Sequence, residues 1–444
     1  MKINYATFAL LLISLFLINC SDQSSDLGAN WTSYASDKFS SKYSPLDQIN
    51  KENVKDLQMK WTWESPDNDL KEQFKFPVSI YQATPIAING ILYVSSSTAI
   101  VSAINGSTGQ TIWTYDPETY KSNAPAHGAY IHRGVSYWDD GKEGRIIVGT
   151  PDARLIALNA KDGSLVQSFG KSGIVDLSQG LSRQFDASHY GISTPPIIAN
   201  NVIVIGASIT DASPQSMRPP GDVRGFDVKT GEQLWVFHTI PQGGEYGNDT
   251  WENESWKITG NTNVWTRMSA DEELGYVYLP ISTPTNDWYG GNRLGDNLFA
   301  ESLVCLNTRT GERIWHFQMV HHGVWDYDLP AAPNLLNINR DGKSVKAVAQ
   351  VSKQGFTYVF NRETGEPIWP IEEKPVPQST APGERTSPTQ PFPTKPAAFD
   401  RQGVTKDDII DFTPELFDEV WASLSEIDKG ELFTPPTENG LVYL

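Results

Sequence analysis

Short apolar runs alternate with polar turns along most of this chain, and the alternation repeats. An apolar run is followed by Asn or Asp, two residues, Thr-Gly, and then a second apolar run that reaches Trp four residues after the Gly. The copies are 101–113 (VSAINGSTGQTIW), 223–235 (VRGFDVKTGEQLW), 303–315 (LVCLNTRTGERIW) and 357–369 (TYVFNRETGEPIW); 155–167 (LIALNAKDGSLVQ) is a degenerate copy with Gln167 where Trp would stand. Each predicts a hairpin. The Gly supplies the positive φ that the turn needs, and the two apolar runs pair across it. A Trp at a fixed offset can dock between neighbouring sheets and bury a large area. The repeat glycines stand 54 to 80 residues apart, so inserted loops separate the units. Repeats on this scale predict an all-β propeller or solenoid.

The flanks read differently. Residues 1–20 (MKINYATFALLLISLFLINC) have a cationic start and an apolar run too short to span a bilayer, which predicts an export signal. The Leu-Ile-Asn-Cys ending resembles a lipobox, so Cys20 is the expected lipidation site and the mature N-terminus. Residues 21–30 then form a flexible tether, and acylation would hold the rest at a membrane surface. Towards the other end, 375–396 is rich in Pro, Ser and Thr and predicts an extended loop; 407–424 carries a helical pattern. Residues 440–444 read as the start of a strand in which the chain stops, so the propeller domain, 31–444, is expected to be incomplete at its C-terminus.

Composition narrows the class. With 35 Gly, 29 Pro, 14 Trp and 17 Tyr but only 20% charged residues, the chain suits many short strands joined by turns. A net charge of −18 argues against nucleic acid as a partner, and an anionic ligand would need a local basic pocket. Two cysteines exclude a disulfide framework. Cys305, inside an apolar run, is expected to be a buried core thiol.

The repeats, together with 132–138 (HRGVSYW), 223–235 and 320–330 (VHHGVWDYDLP), resemble the PQQ-dependent (quinoprotein) dehydrogenases, most closely the membrane-bound glucose dehydrogenase branch. The resemblance implies a PQQ-type β-propeller, eight-bladed in the family, of which five to six blades would be present here. It implies pyrroloquinoline quinone (PQQ) and Ca2+ or Mg2+ as cofactors, and oxidation of a sugar or other alcohol with electrons passed to a membrane quinone or another acceptor. PQQ is a flat tricarboxylic quinone that needs cations, flat surfaces and a Lewis acid. By the resemblance, Arg133 binds a PQQ carboxylate, Lys353 lies at the quinone oxygens, Trp265 stacks on the ring, and Asn263, Ser208, Thr150 and Gln82 are further cofactor contacts. Asp211 and Thr283 are the implied metal ligands. Asp326 is the implied general base that takes the substrate hydroxyl proton, a task suited to a carboxylate near a cation and apolar walls; Asp328 lies outside that position. The neighbouring His321 and His322 project apart on extended backbone and do not suit a shared metal. The chain lacks the adjacent cysteine pair of the methanol-type enzymes and any haem-attachment motif, and further PQQ contacts of the family's later blades are missing. Export and lipidation place the protein in the periplasm. The competing reading is a non-catalytic propeller lipoprotein that serves as an outer-membrane assembly scaffold; such a scaffold has no reason to hold Arg133, Trp265, Asp326 and Lys353 together.

Overall fold

The computed structural model describes residues 30–74, 79–122, 129–210, 218–403, 406–425 and 431–438. Four of its sheets are four-stranded antiparallel blades. Blade 1 is Ile86–Ile88, Ile91–Ser95, Val101–Asn105 and Thr111–Tyr115. Blade 2 is Ser136–Asp139, Gly144–Gly149, Arg154–Asn159 and Ile174–Asp176. Blade 3 is Ile197–Ala199, Val202–Ile205, Val223–Asp227 and Gln233–Phe237. Blade 4 is Ser269–Asp271, Tyr276–Pro280, Ser302–Asn307 and Arg313–Gln318. A fifth sheet has three strands, Asn334–Arg340, Lys343–Val351 and Thr357–Asn361, followed by the hairpin of Ile371–Pro375 with Thr389–Pro393. The described residues thus hold five blade sheets, within the five to six that the resemblance implies.

The repeat motif acts as a clasp between blades. In the turn of blade 1, the Gly109 N–H donates to the Asn105 carbonyl at 2.8 Å while the Asn105 side chain accepts from the Ser107 N–H at 2.9 Å. This explains why Asn or Asp opens every copy. Three of the four repeat Trp residues then reach the next blade. The Trp113 indole N–H donates to the Ala160 carbonyl at 3.0 Å, Trp235 to Thr308 at 3.0 Å and Trp315 to Arg362 at 3.1 Å. In each case the acceptor stands three residues before a turn glycine, on which the indole ring lies; a Cβ built on Gly163, Gly311 or Gly365 would come within 2.6 to 2.7 Å of that ring. The sequence reading missed a member of this series. Trp61 docks on blade 1 in the same way, donating to the Gly106 carbonyl at 3.1 Å and covering Gly109. It was hidden because no Thr-Gly turn precedes it.

The residue across the strand pair from each Trp is small: Ala103 faces Trp113, Gly225 faces Trp235 and Cys305 faces Trp315. Cys305 is accordingly a buried free thiol whose pKa burial raises, as expected of a core cysteine. The degenerate copy does lose its clasp. After Gly163 the chain makes only an isolated bridge, Leu158 with Leu165, and the outer strand of blade 2 is instead Ile174–Asp176. The Pro-rich segment differs from its expectation, since its final part is the strand Thr389–Pro393, which pairs with Ile371–Pro375; only the stretch between them is a loop. The helical pattern resolves into Lys406–Asp408 and Pro414–Ser425. Cys20, Asp211 and residues 440–444 lie outside the described residues. Among the described residues no helix is long and apolar enough to cross a membrane.

Candidate active site

Strands alternate in direction within a blade, so the connections after its second and fourth strands leave from the same end of the sheet. Arg133 follows Tyr130–His132 just before blade 2, and Trp265 lies between blades 3 and 4. Asp326 and Asp328 lie in the loop after the last strand of blade 4. Thr283 follows the second strand of blade 4, and Lys353 follows the second strand of the fifth sheet. These loops converge on a cavity of about 280 Å³, whose walls include Arg133, Ser208, Asn263, Trp265, Thr283, Asp326, Asp328 and Lys353. Seven of the residues expected at a site are therefore brought together, with Asp328 added.

The centre of the cavity is an ion triad. The Lys353 ammonium donates to Asp326 Oδ2 at 2.8 Å and to Asp328 Oδ2 at 3.0 Å. The same Asp328 oxygen accepts from the Trp265 indole N–H at 3.1 Å, and Asp328 Oδ1 accepts from the Thr283 backbone N–H at 2.9 Å. Asp328 is thus the knot that ties the ammonium, the indole and the Thr283 backbone into one array. Asp326 accepts from the Lys353 ammonium and lies against the Asp328 carboxyl. Burial first, and the neighbouring Asp328 charge next, push its carboxyl up to about 7, against the pull of Lys353. Burial works against the Lys353 charge, but the two carboxylates hold its pKa above the ordinary value. Asp326 sits at φ +53°, in the left-handed region that Asp tolerates better than most residues. A weak base of pKa near neutrality, fixed beside a cation at a cavity wall, is equipped to accept a proton.

One wall is cationic. The Arg133 guanidinium lies 5.1 Å from the Trp265 ring centroid, and its Nη1 donates to Ser193 Oγ at 2.6 Å. Behind it, Arg267 Nη2 donates to the Arg133 carbonyl at 3.0 Å and stacks on Tyr34, 3.6 Å from the ring centroid. Among the described residues neither guanidinium has a carboxylate within ion-pair distance. Burial, and then Arg267, lower the Arg133 pKa to about 10. Two desolvated cations with no counter-ion among the described residues, in a protein of net charge −18, suit an anion. His132 beside them is fully buried between Ser95 Oγ, 2.7 Å, and the Gly149 carbonyl, 2.8 Å, and burial lowers its pKa to about 4, so it serves as a neutral strut.

Another part of the wall offers oxygen. Asn263 Nδ2 donates to the Ala207 carbonyl at 2.7 Å, and the Ser282 hydroxyl donates to Asn263 Oδ1. The Thr283 hydroxyl donates to Glu301 Oε1 at 3.2 Å. Glu301 is completely buried, its Oε2 has no hydrogen-bond partner, and burial pushes its carboxyl up to about 8 against the pull of Arg293. Gly323 is required here, because a Cβ on it would lie 1.8 Å from Glu301 Oε2. Among the described residues no three His, Cys, Asp or Glu side chains gather into a metal cluster.

Two expected contacts do not line the cavity. Thr150 is a buried turn residue whose hydroxyl donates to Asp152 Oδ1 at 2.5 Å, with Pro151 at the wall beside it. Gln82 is exposed, and its carbonyl accepts from Arg267 at 3.2 Å. The two adjacent histidines diverge as expected: His321 Nε2 meets Glu373 at 3.1 Å and His322 Nε2 meets buried Glu384 at 2.6 Å. Sequence reasoning missed Glu301, Arg267 and the central place of Asp328. Nothing in the strings around Glu301 and Arg267 distinguishes them from surface charges, whereas Asp328 stood in view within 320–330.

The chain is similar to several known proteins. A family model described as the PQQ-type glucose/ethanol/alcohol dehydrogenase β-propeller domain matches residues 31–444. The quinoprotein glucose dehydrogenase of Escherichia coli (strain K12) is 33% identical over 432 residues, 93% of this chain and 52% of that protein. The glycerol dehydrogenase large subunit of Gluconobacter oxydans (strain 621H) is 31% identical over 425 residues, 93% of this chain and 56% of that protein. The crystal structure of the quinohemoprotein alcohol dehydrogenase from Comamonas testosteroni superposes with a TM-score of 0.66 at 28% identity, covering 82% of this chain and 52% of that one. The chain spans about half the length of these relatives.

Proposed function

Because this chain belongs to the PQQ-dependent quinoprotein dehydrogenases, whose β-propeller domain it carries over residues 31–444, we propose that it oxidises the hydroxyl of a glucose-like sugar or another alcohol with PQQ as cofactor. The observation that carries this reading is one cavity whose wall holds both Asp326, a base of near-neutral pKa 2.8 Å from Lys353, and Arg133, which has no carboxylate partner among the described residues. The residues fit the cofactor. Arg133, backed by Arg267, would meet its carboxylates, Trp265 would face its plane, and Asn263 and Ser208 would contact its edge. Bound PQQ supplies a two-electron acceptor.

The chain's own residues do the rest. Asp326 takes the proton from the hydroxyl on the carbon being oxidised. Lys353 orients that carboxylate and favours its ionised form. Asp328, through Trp265, Lys353 and Thr283, fixes the wall and the ammonium against which the base works. A hard cation, Ca2+ or Mg2+, is proposed on the oxygen side with Asp211 and Thr283 among its ligands; the orphaned Glu301 oxygen behind Thr283 supports a polar, cation-ready wall. Electrons pass to a membrane quinone or a separate acceptor. The 1–20 signal and Cys20 support an exported, lipid-anchored, periplasmic location.

The test is reconstitution of the protein with PQQ and Ca2+ or Mg2+, followed by a screen of aldoses, polyols and simple alcohols with an artificial electron acceptor. Acceptor reduction that needs PQQ and at least one substrate supports the proposal; its absence with every substrate overturns it.

A further inference from the structure

Residues 31–40 lie in none of the five blade sheets, yet they bind three of them. Trp31 exchanges backbone hydrogen bonds with Ala87, in the first strand of blade 1, at 2.8 and 2.9 Å. The Ala270 N–H of blade 4 donates to the Lys38 carbonyl at 2.9 Å, and the Leu335 N–H of the fifth sheet donates to the Phe39 carbonyl at 2.9 Å. An ion pair of Lys38 with Glu272 at 2.7 Å and a hydroxyl contact of Ser40 with Ser269 at 3.0 Å add to this hold. The segment is therefore a strap pinned at both ends. Tyr34 stands between the two pins, and its carbonyl accepts from the Trp31 indole N–H at 3.1 Å.

The Tyr34 ring covers a buried cation. The Arg267 guanidinium lies 3.6 Å from the ring centroid, and its Nε is buried without a hydrogen-bond partner. Its Nη2 donates to the Arg133 carbonyl at 3.0 Å and to the Gln82 carbonyl at 3.2 Å. Gln82 and Arg133 directly follow the parallel pair Ser79–Tyr81 and Tyr130–His132, so one guanidinium ties both backbones together where that pairing ends. The side chain of the same Arg133 lines the cavity, 5.1 Å from the Trp265 ring centroid. A continuous path thus runs from the strap to the cavity wall: Tyr34 ring, Arg267 guanidinium, Arg133 backbone. A binding wall keeps its geometry only as well as the residues behind it are fixed. A planar guanidinium stacked on a ring is fixed in a way that a lysine is not.

We propose that Tyr34 and Arg267 are positioning residues for an anion bound at Arg133, so that the strap of residues 31–40 belongs to the cofactor-binding apparatus. This rests on the reading of the cavity as the PQQ site and extends it to a segment outside the cavity walls.

The test is titration of PQQ into the full-length protein with Ca2+ present, at several salt concentrations, with melting temperatures recorded for each variant. Tyr34→Ala weakens binding about tenfold, and Tyr34→Phe, which keeps the aromatic face, stays within about twofold of the wild type. Arg267→Gln weakens binding at least about tenfold and flattens its salt dependence, because a cation is gone. Arg267→Lys keeps the salt dependence and recovers part of the affinity, because the charge remains and the planar fork does not. Lys38→Ala cuts the strap's ion pair with Glu272 and serves as the control for loosened docking; it changes the affinity by less than about twofold. The same series is titrated with benzene-1,3,5-tricarboxylate, a flat tricarboxylate without a quinone. If Tyr34→Ala or Arg267→Gln binds PQQ as tightly as the wild type, or if Lys38→Ala weakens it as much as Tyr34→Ala does, the proposal is overturned and the PQQ reading stands. A wild type that binds the tricarboxylate but not PQQ overturns that reading, and the variants then decide the proposal on the tricarboxylate. A wild type that binds neither overturns both.

Discussion

Replacing Asp326 by asparagine removes the charge and the proton acceptor while keeping shape. The backbone there is at φ +53°, which Asn adopts as readily as Asp, so the loop around Trp325 stays in place. The amide oxygen can still accept from Lys353, now without the ionic part of the 2.8 Å contact. What disappears is the base. General-base assistance contributes about 10²–10⁴-fold, or about 3–5 kcal/mol of barrier. The pH profile supplies the sharper readout. Burial and Asp328 raise the Asp326 pKa to about 7, so the carboxyl is protonated below that pH and available as a base above it. The wild-type kcat/KM for an alcohol therefore rises with pH through about 7. Asp326→Asn loses at least about 100-fold in rate and loses this rise, while PQQ affinity stays within a few-fold. Asp328→Asn behaves differently. Its two oxygens accept from Trp265, Lys353 and Thr283, and an amide nitrogen cannot accept, so one side of the knot opens. That substitution weakens PQQ binding and keeps the rise with pH. Steady-state dye-linked assays from about pH 5 to pH 9, with PQQ titrations of both variants, decide the matter. An Asp326→Asn protein that keeps more than about a tenth of the rate, or that keeps the rise with pH, refutes the assignment of the base.

Removing the Lys353 cation removes a charge that favours the Asp326 carboxylate, so Lys353→Gln moves the rising limb of the pH profile to higher pH; an unchanged or more acidic limb contradicts this. Gly311→Ala places a Cβ 2.6 Å from the Trp235 ring at φ +72°, whereas Gly342→Ala, at φ +77° with nothing within 4 Å, pays the backbone cost alone. Urea melts should show the first destabilised by at least about 2 kcal/mol more than the second, and equal losses would mean that the clasp does not bear on stability. Cys20→Ser should abolish incorporation of labelled fatty acid and shift the protein from the membrane to the soluble fraction; a membrane-bound serine variant would show that another element anchors it.

The propeller could be read from the sequence because its repeating unit is local: an Asn or Asp, a positive-φ Gly and a Trp stand within one hairpin, and the five glycines find the same turn each time. Trp61 escaped because it contributes the indole without the turn, and the Thr389–Pro393 strand escaped because proline-rich sequence hides a pairing that uses its few remaining N–H groups. The site was legible where a motif carried it, as at Arg133, Asp326 and Lys353. It was not legible where partners come from distant loops. Glu301 acquires its role from Thr283 and Gly323, and Arg267 from the carbonyls of Gln82 and Arg133. Asp328 was set aside for a similar reason, since only the folded chain shows that its two oxygens face Trp265, Lys353 and the Thr283 backbone at once.

The central claim is that the cationic wall and the indole of this cavity receive PQQ. Titrating PQQ into the protein with Ca2+ or Mg2+ present, and following the cofactor absorbance and the quenching of Trp fluorescence, tests it without any substrate. Saturable one-to-one binding that weakens at least about tenfold in Arg133→Ala and falls with added salt is the expected result. PQQ that fails to bind, or that binds Arg133→Ala as tightly as the wild type, contradicts it.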